Sequence, residues 1–166
     1  MKRTPSSASR PIRILVIDDS VEQARRLTEI FQQARIPVTV EAVTNGVDAI
    51  NRVQGWGRYT ASCPPDVALI DLDLPGLDGL AVLSVIKADR HAGIISVAYA
   101  HALQRSQRDA CEAMGADACL SKPHDFESYI TLLAEILFFL SMRDDSVLAW
   151  WGGGVKPGVE RRRRPR

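Results

Sequence analysis

The sequence predicts a doubly wound α/β fold, in which helices cover both faces of a five-stranded parallel sheet. Five short apolar runs alternate with amphipathic stretches between residues 12 and 120. Two of the runs, Ile12–Ile17 and Val67–Ile70, are almost entirely aliphatic, which is typical of strands buried on both faces. Five βα units in series favour right-handed crossovers and a parallel sheet. In such sheets the functional site lies at the carboxyl ends of the strands.

The elements follow in order along the chain. The strands are predicted at Ile12–Ile17, Val38–Val43, Val67–Ile70, Ile94–Tyr99 and Ala118–Leu120. Ser20 with Gln23 three residues later predicts a capping box at the first helix, which ends before Pro37. The other helices are predicted from about Asn45, Gly79, Ser106 and Asp125, and the last of them runs to about Met142.

Composition divides the chain into a domain and two tails. We expect a disordered tail at residues 1–10, a single domain at 11–143 and a flexible basic tail at 144–166. Six basic residues and one acidic residue give residues 152–166 a charge of +5, so the remainder carries −4 of the total of +1. An acidic body argues against nucleic-acid binding. No apolar stretch is long enough to span a membrane, and we expect no secretion signal.

The three cysteines indicate neither disulfides nor zinc. Their number is odd, they include no CxxC pair, and the three histidines lack the spacing of metal ligands. Free thiols fit a reducing compartment, so the sequence predicts a cytoplasmic protein.

Charged residues follow three of the predicted strands. Asp18 and Asp19 follow the first, Asp71 ends the third within the segment DLDLPGLDG, and Lys122 follows the fifth. Each feature alone is an ordinary turn or helix cap, but together they would place three carboxylates and an ammonium at one edge. Clustered carboxylates need a cation to remain ionised, and hard oxygen ligands suit Mg²⁺. A carboxylate beside Mg²⁺ can act as a nucleophile toward phosphorus.

These segments, ILVIDDS, ALIDLDLPGLDG and LSKP, resemble the receiver domains of two-component response regulators. The resemblance covers about residues 12–142, and it implies a flavodoxin-like strand order of 2-1-3-4-5. It implies the following roles: Asp71 is the phosphoacceptor, Asp19 binds Mg²⁺ directly, Asp18 acts through a metal-bound water, the carbonyl of Asp73 is a metal ligand, and Lys122 pairs with the phosphoryl group. It also implies that Pro75 and Gly79 shape the loop after strand three, and that Pro123 follows a cis peptide bond.

The chain departs from this family at the positions that usually read out phosphorylation. Receivers usually carry Thr or Ser at the end of strand four, where an ungapped count from Lys122 gives Ala100, and a shift of one residue gives Tyr99. Cys119 occupies the position at which strand five of receivers usually carries an aromatic residue. The resemblance therefore implies an intact acceptor site that lacks the usual pair of residues for coupling phosphorylation to a conformational change.

A weaker resemblance concerns the subfamily. The loop GWGRYTASCPP and the ending ILFFLSMR are similar to stand-alone regulators that partner bacterial phytochrome kinases. We expect a sensor histidine kinase, such as a bacteriophytochrome, to supply the phosphoryl group. We expect no output domain within this chain and no enzymatic turnover of its own.

Two other functions remain open. Asp71-Leu72-Asp73 also matches the DxD core of haloacid-dehalogenase-like phosphatases, although there the acidic pair follows the DxD segment, whereas here it precedes it. A receiver-like binding module that no longer switches would account for the missing hydroxyl of strand four.

The last helix is predicted to form a homodimer interface. Its sheet-facing stripe would be Phe126, Ile130, Leu133, Leu137 and Leu140. A second stripe of Tyr129, Leu132, Ile136 and Phe139 lies beside it. A surface helix needs only one apolar face, so the second requires a cover, either another copy of the chain or the segment that contains Trp150 and Trp151.

Overall fold

A parallel five-stranded sheet forms the centre of the protein. The computed structural model describes residues 10–88 and 93–143, and its strands lie in the order β2-β1-β3-β4-β5. Their bounds are Ile12–Ile17 (β1), Val38–Val43 (β2), Val67–Asp71 (β3), Ile95–Ala100 (β4) and Ala118–Ser121 (β5). The doubly wound fold and its strand order are therefore confirmed, and no strand boundary differs from the prediction by more than one residue.

Within the described residues, five α-helices connect and flank the strands, and a short 3-10 helix at Gly57–Tyr59 precedes β3. The α-helices are Val21–Gln33 (α1), Gly46–Gln54 (α2), Gly79–Ala88 (α3), Arg105–Met114 (α4) and Phe126–Ser141 (α5). The side chain of Asn45 caps α2 by accepting a hydrogen bond from the backbone N–H of Asp48 at 2.8 Å. Gly115 ends α4 in the left-handed conformation, with φ of 82°.

The capping box predicted at Ser20 is wrong. Ser20 precedes α1, but its side chain makes no capping hydrogen bond. The Gln23 side chain that would complete the box instead accepts a hydrogen bond from the hydroxyl of Tyr129 on α5. A long-range partner has thus replaced the local one.

Side chains of the strands alternate between two apolar cores, one on each face of the sheet. One core contains the buried residues of α1 and α5, and we call this side the α1/α5 face. The other core contains the buried residues of α2, α3 and α4. Along β3, for example, Leu69 enters the first core, whereas Ala68 and Ile70 enter the second.

The prediction of two separate stripes on α5 is wrong for three of the four proposed interface residues. Tyr129, Leu132 and Ile136 are buried in the core of the chain. The physical reason is that α5 packs against α1 as well as the sheet, so a wider arc of the helix is covered. Phe139 is partly buried, and Phe126, expected to face the sheet, is 63% exposed.

The two predicted tails lie almost entirely outside the described residues. Arg10, the last residue of the predicted N-terminal tail, donates two hydrogen bonds of 2.7 Å to the carboxylate of Asp66 before β3. Trp150 and Trp151 lie outside the described residues. Among residues 10–88 and 93–143, no helix has the length and apolar character required to cross a bilayer.

Candidate functional site

Backbone pairing continues just beyond the strands and brings their carboxyl ends together. The N–H of Asp18 donates to the carbonyl of Val43 at 3.1 Å, and the N–H of Lys122 donates to that of Ala100 at 2.8 Å. In β3, Asp71 lies directly beside Tyr99 of β4. The charged residues that follow β1, β3 and β5 therefore meet at one edge of the sheet, as the sequence predicts.

Three carboxylates form a cluster at this edge. Oxygen atoms of Asp18, Asp19 and Asp71 all lie within 4.8 Å of one another. Asp18 and Asp71 are each 1% exposed, whereas Asp19 is exposed. Oxygen donors at this spacing suit a hard divalent cation such as Mg²⁺, so the residues present fit the predicted metal.

Lys122 joins the two buried carboxylates. Its Nζ lies 2.8 Å from Oδ2 of Asp71 and 3.1 Å from Oδ2 of Asp18. Burial alone would lower the pKa of Lys122, but hydrogen bonds and charge attraction from the two aspartates outweigh it and raise the pKa. Lys122 therefore stays charged at neutral pH, next to the predicted phosphoacceptor.

The Asp71 carboxylate has a protein donor on each oxygen. Oδ1 accepts a hydrogen bond from the N–H of Asp73 at 2.9 Å, while Oδ2 accepts from Lys122. Burial raises the pKa of Asp71, and these hydrogen bonds offset only part of that effect. A cation that binds beside this buried carboxylate and its acidic neighbour would stabilise both in the charged form.

Asp18 and Asp19 have different surroundings. Asp18 Oδ1 accepts a hydrogen bond from the N–H of Ser20 at 2.9 Å, and Oδ2 contacts Lys122. Within the part of the chain that the structure describes, the Asp19 side chain makes no hydrogen bond or ion pair. Asp19 is therefore the carboxylate most available to an arriving cation.

Tyr99 contributes a hydroxyl to the site, and this contribution was not predicted from the sequence. Its hydroxyl donates to Oδ2 of Asp18 at 2.8 Å, and the residue is only 2% exposed. Burial, together with the charge of Asp18, raises the pKa of Tyr99 well above its usual value, so the hydroxyl keeps its proton. The sequence did offer an indication, because strand side chains alternate and Tyr99 shares the face of its neighbour Asp71.

Ala100 and Cys119 are the other two positions compared with the readout residues of receivers, and both carry small side chains. Ala100 is fully buried and belongs to the core beneath α2, α3 and α4. Cys119 of β5 lies in the same core, and burial raises its pKa. The neighbouring Cys111 thiol of α4 is also buried, and its pKa is raised to about 12.

Asp73 links the acceptor loop, residues 72–78, to α4. Its carboxylate accepts hydrogen bonds from the N–H of His101 at 3.1 Å and from the side-chain amide of Gln107 at 3.4 Å. The family resemblance implies a role only for the backbone carbonyl of Asp73. Its side-chain role could not be predicted, because the partners lie 28 and 34 residues away.

The three loop-shaping positions have different outcomes. A Cβ on Gly79 would lie 2.1 Å from the carbonyl oxygen of Asp71, so only glycine lets α3 begin against the end of β3. Pro75 is exposed in the acceptor loop. The cis bond expected before Pro123 is wrong, because the Lys122–Pro123 peptide is trans. The trans isomer is intrinsically favoured by about 0.5–1 kcal/mol, and Lys122 reaches Asp71 without the cis form.

Comparison with known proteins identifies relatives over most of the chain. A profile of the response regulator receiver domain matches residues 14–134. The curated protein-glutamate methylesterase/protein-glutamine glutaminase 5 of Myxococcus xanthus (strain DK1622) is 32% identical over 113 residues, which cover 68% of this chain and 30% of that protein. The chain spans less than a third of the length of the first curated relatives it matches.

Solved structures share the fold. The phosphorylated cyanobacterial phytochrome response regulator RcpA superposes with a TM-score of 0.69 at 20% identity, covering 89% of this chain and 99% of that one. The Mn²⁺-bound form of response regulator Rcp1 gives a TM-score of 0.68 at 24% identity, covering 80% and 94%.

Proposed function

The chain belongs to the response regulator receiver domain family, and we propose that it accepts a phosphoryl group on Asp71 from a histidine kinase. Receiver domains are signalling domains, so the proposed role is to carry a phosphoryl group rather than to turn over a substrate. The observation that carries this proposal is the contact of Asp71 with Lys122, 2.8 Å long, inside a cluster of three carboxylates.

The chemistry follows from the positions of these side chains. A carboxylate oxygen of Asp71 attacks phosphorus, so that an O–P bond forms as the N–P bond to the histidine of the kinase breaks. The ammonium group of Lys122, which first pairs with the carboxylate, then stabilises the negative charge on the phosphoryl oxygens. Bound Mg²⁺ would offset the charge of the carboxylates and the phosphoryl group. Asp19 and the Asp73 carbonyl are the proposed direct metal ligands, and Asp18 would act mainly through a metal-bound water.

The proposed phosphoryl donor is a sensor histidine kinase of the bacteriophytochrome type. Three structural neighbours are named as phytochrome or bacteriophytochrome response regulators, and the loop before β3 supports the same pairing. The kinase would act in the cytoplasm. Phosphotransfer from a purified bacteriophytochrome kinase should be faster than transfer from an unrelated histidine kinase, and equal rates would contradict this choice of partner.

Labelling with acetyl phosphate tests the acceptor. Asp71→Asn keeps nearly the same shape and should abolish labelling, which in the parent protein should require a divalent cation. Asp78→Asn is the matched control, because Asp78 lies in the same loop but its carboxylate binds the N–H of Leu80 at the start of α3. Undiminished labelling of Asp71→Asn would refute the site. Turnover of a generic phosphate ester would instead favour the DxD phosphatase.

A binding module that does not switch is the second candidate. It is favoured by Ala100 and Cys119, which replace the usual hydroxyl and aromatic residues of strands four and five. A parent protein that takes no phosphoryl group from either acetyl phosphate or a kinase would support this candidate over the first.

We also propose that two copies associate through the outward side of α5, with a narrower surface than the sequence predicts. Phe138 and Phe139 are partly exposed and pack edge to face with ring centroids 5.5 Å apart. Met142, which follows α5, is 69% exposed. Met142 lies four residues after Phe138 and three after Phe139, a spacing that places it beside both on one side of the helix. A two-fold contact can use such a surface twice.

A further inference from the structure

We propose that Tyr99 is a positioning residue for the metal, whose hydroxyl holds the Asp18 carboxylate in the orientation in which the acidic cluster takes up Mg²⁺. The inference rests on the proposed function, because the metal is the one that serves phosphoryl transfer to Asp71. It assigns a role to Tyr99, which the family resemblance gave only as an alternative to Ala100 at the position of the usual small hydroxyl residue.

Three donors fix the Asp18 carboxylate. Oδ1 accepts from the N–H of Ser20 at 2.9 Å, and Oδ2 accepts from the Tyr99 hydroxyl at 2.8 Å and contacts Lys122 Nζ at 3.1 Å. The Lys122 contact is shared with Asp71. Tyr99 is therefore the only side chain among residues 10–88 and 93–143 that hydrogen-bonds Asp18 without also contacting Asp71.

The hydroxyl of Tyr99 is not needed to fill the core. Its ring belongs to the apolar core of the α1/α5 face, and a phenylalanine ring would occupy the same space. A buried tyrosine hydroxyl requires a polar partner, and here that partner belongs to the carboxylate cluster. The ring therefore packs like any other core residue, and the hydroxyl adds a directional contact with the carboxylate cluster.

The same core contains a second buried tyrosine that serves as a matched control. Tyr129 is 3% exposed, and its hydroxyl donates to the side chain of Gln23 on α1. Tyr129→Phe thus also removes one buried hydroxyl from the α1/α5 face, but it leaves every hydrogen bond of the carboxylate cluster in place.

Removing a hydrogen-bond partner of a carboxylate at a metal site usually weakens metal binding. Such a loss typically costs about 10–100-fold in metal affinity or activity. Tyr99→Phe keeps the ring, which lies 5.4 Å from Lys122 Nζ, and removes only the contact with Asp18. We therefore expect a weaker affinity for Mg²⁺ with an otherwise intact site.

Calorimetric titration of the full chain with Mg²⁺ is the primary test. Tyr99→Phe should bind Mg²⁺ about tenfold more weakly than the parent protein, whereas Tyr129→Phe should match the parent. Labelling by acetyl phosphate gives a second readout. At saturating Mg²⁺ the rates for Tyr99→Phe and the parent should agree, and at limiting Mg²⁺ the variant should be slower.

A double-mutant cycle separates positioning from general damage. If Tyr99 acts through Asp18, then Tyr99→Phe should no longer change Mg²⁺ affinity once Asp18→Ala is present. An unchanged affinity of Tyr99→Phe in the parent background, or an equal loss in Tyr129→Phe, overturns the inference and leaves the proposed function standing. A parent protein that binds no Mg²⁺ overturns both.

Discussion

Single residues of the acidic cluster should contribute unequally to metal binding. Asp19 is exposed and has no protein donor within the described residues, whereas both oxygens of Asp18 already contact donors. A carboxylate in direct contact with the ion contributes more than one that acts at a distance. Asp19→Ala should therefore weaken Mg²⁺ binding more than Asp18→Ala, as measured by titration of the folded proteins.

The two variants should rank in the opposite order for stability. Asp18→Ala leaves the buried Tyr99 hydroxyl without its acceptor, and an unpaired buried polar group costs about 1–3 kcal/mol. Asp19→Ala leaves no buried group unpaired and should change the free energy of unfolding by less than about 0.5 kcal/mol. Urea denaturation without metal measures both. In the Mg²⁺ titration, a larger loss of affinity in Asp18→Ala than in Asp19→Ala would mean that the roles of the two aspartates in metal binding are reversed.

At the residue scale, the acidic cluster could be predicted because charge at the end of an apolar run is visible in the sequence. The contact between Tyr99 and Asp18 was missed for a different reason. The ungapped count from Lys122 gives Ala100 at the position of the small hydroxyl residue of receivers, and Tyr99 occupies that position only with a shift of one residue. The alternation of side chains along β4 places Tyr99 on the same face as Asp71, and the length of the tyrosine side chain takes its hydroxyl to Asp18.

Among the secondary structure elements, β4 and β5 should respond to phosphorylation less than in typical receivers. A ligand shifts a conformational equilibrium only through a group that interacts differently in the two states. Ala100 has no hydroxyl to contact a phosphoryl group, and the Tyr99 hydroxyl already donates a hydrogen bond to Asp18. With Mg²⁺ and beryllofluoride, amide chemical shifts should change mainly in residues 72–78 and in the first turn of α4. Large shifts throughout β4 and β5 would disprove this.

The response of α4 should depend on Gln107. The side-chain carbonyl of Gln107 accepts a hydrogen bond from the N–H of Gln104, and its amide donates to the carboxylate of Asp73. Gln107→Glu keeps an acceptor for Gln104 but turns the contact with Asp73 into a repulsion. We expect it to remove most of the beryllofluoride response of α4. Glu112→Gln, on the same helix, is the control.

Element boundaries could be predicted closely because apolar runs and turn residues mark them locally. The cap of α1 could not, because Gln23 bonds to Tyr129, which lies 106 residues further along the chain. A capping box is a local pattern, and the tertiary partner of a side chain can override it.

At the scale of the whole molecule, association through α5 can be tested by sedimentation. Phe139→Glu should shift a dimer toward monomers, because a carboxylate would be buried at the contact. Ser84→Glu is the control, because Ser84 is exposed on α3, which packs on the other face of the sheet. A parent protein that is monomeric at high micromolar concentration would exclude the dimer.

A chain ending at Met142 separates the two covers that the sequence analysis left open. If residues 144–166 cover the outward side of α5, this shorter chain should aggregate or bind a hydrophobic dye, while the parent does neither. If a second copy covers it, the shorter chain should sediment as the parent does.

The α5 interface residues could not be identified from sequence, because helical spacing gives the width of an apolar band but not the number of neighbours that cover it. The predicted stripes assumed that the sheet alone covers α5. With α1 also in contact, Tyr129, Leu132 and Ile136 became core residues, and the candidate surface moved toward Phe138, Phe139 and Met142.

The distribution of the three cysteines gives the protein a built-in reporter of partial unfolding. Cys63 is exposed, whereas Cys111 and Cys119 are buried between α4 and β5. Thiolates are the reactive species, so an alkylating reagent should modify Cys63 at once. The buried pair becomes accessible only when α4 opens away from the sheet, and its slow alkylation rate therefore measures the free energy of that opening. Mass spectrometry of the alkylated protein could therefore measure, without any engineered label, how the proposed acceptor site stabilises α4, to which Asp73 connects it.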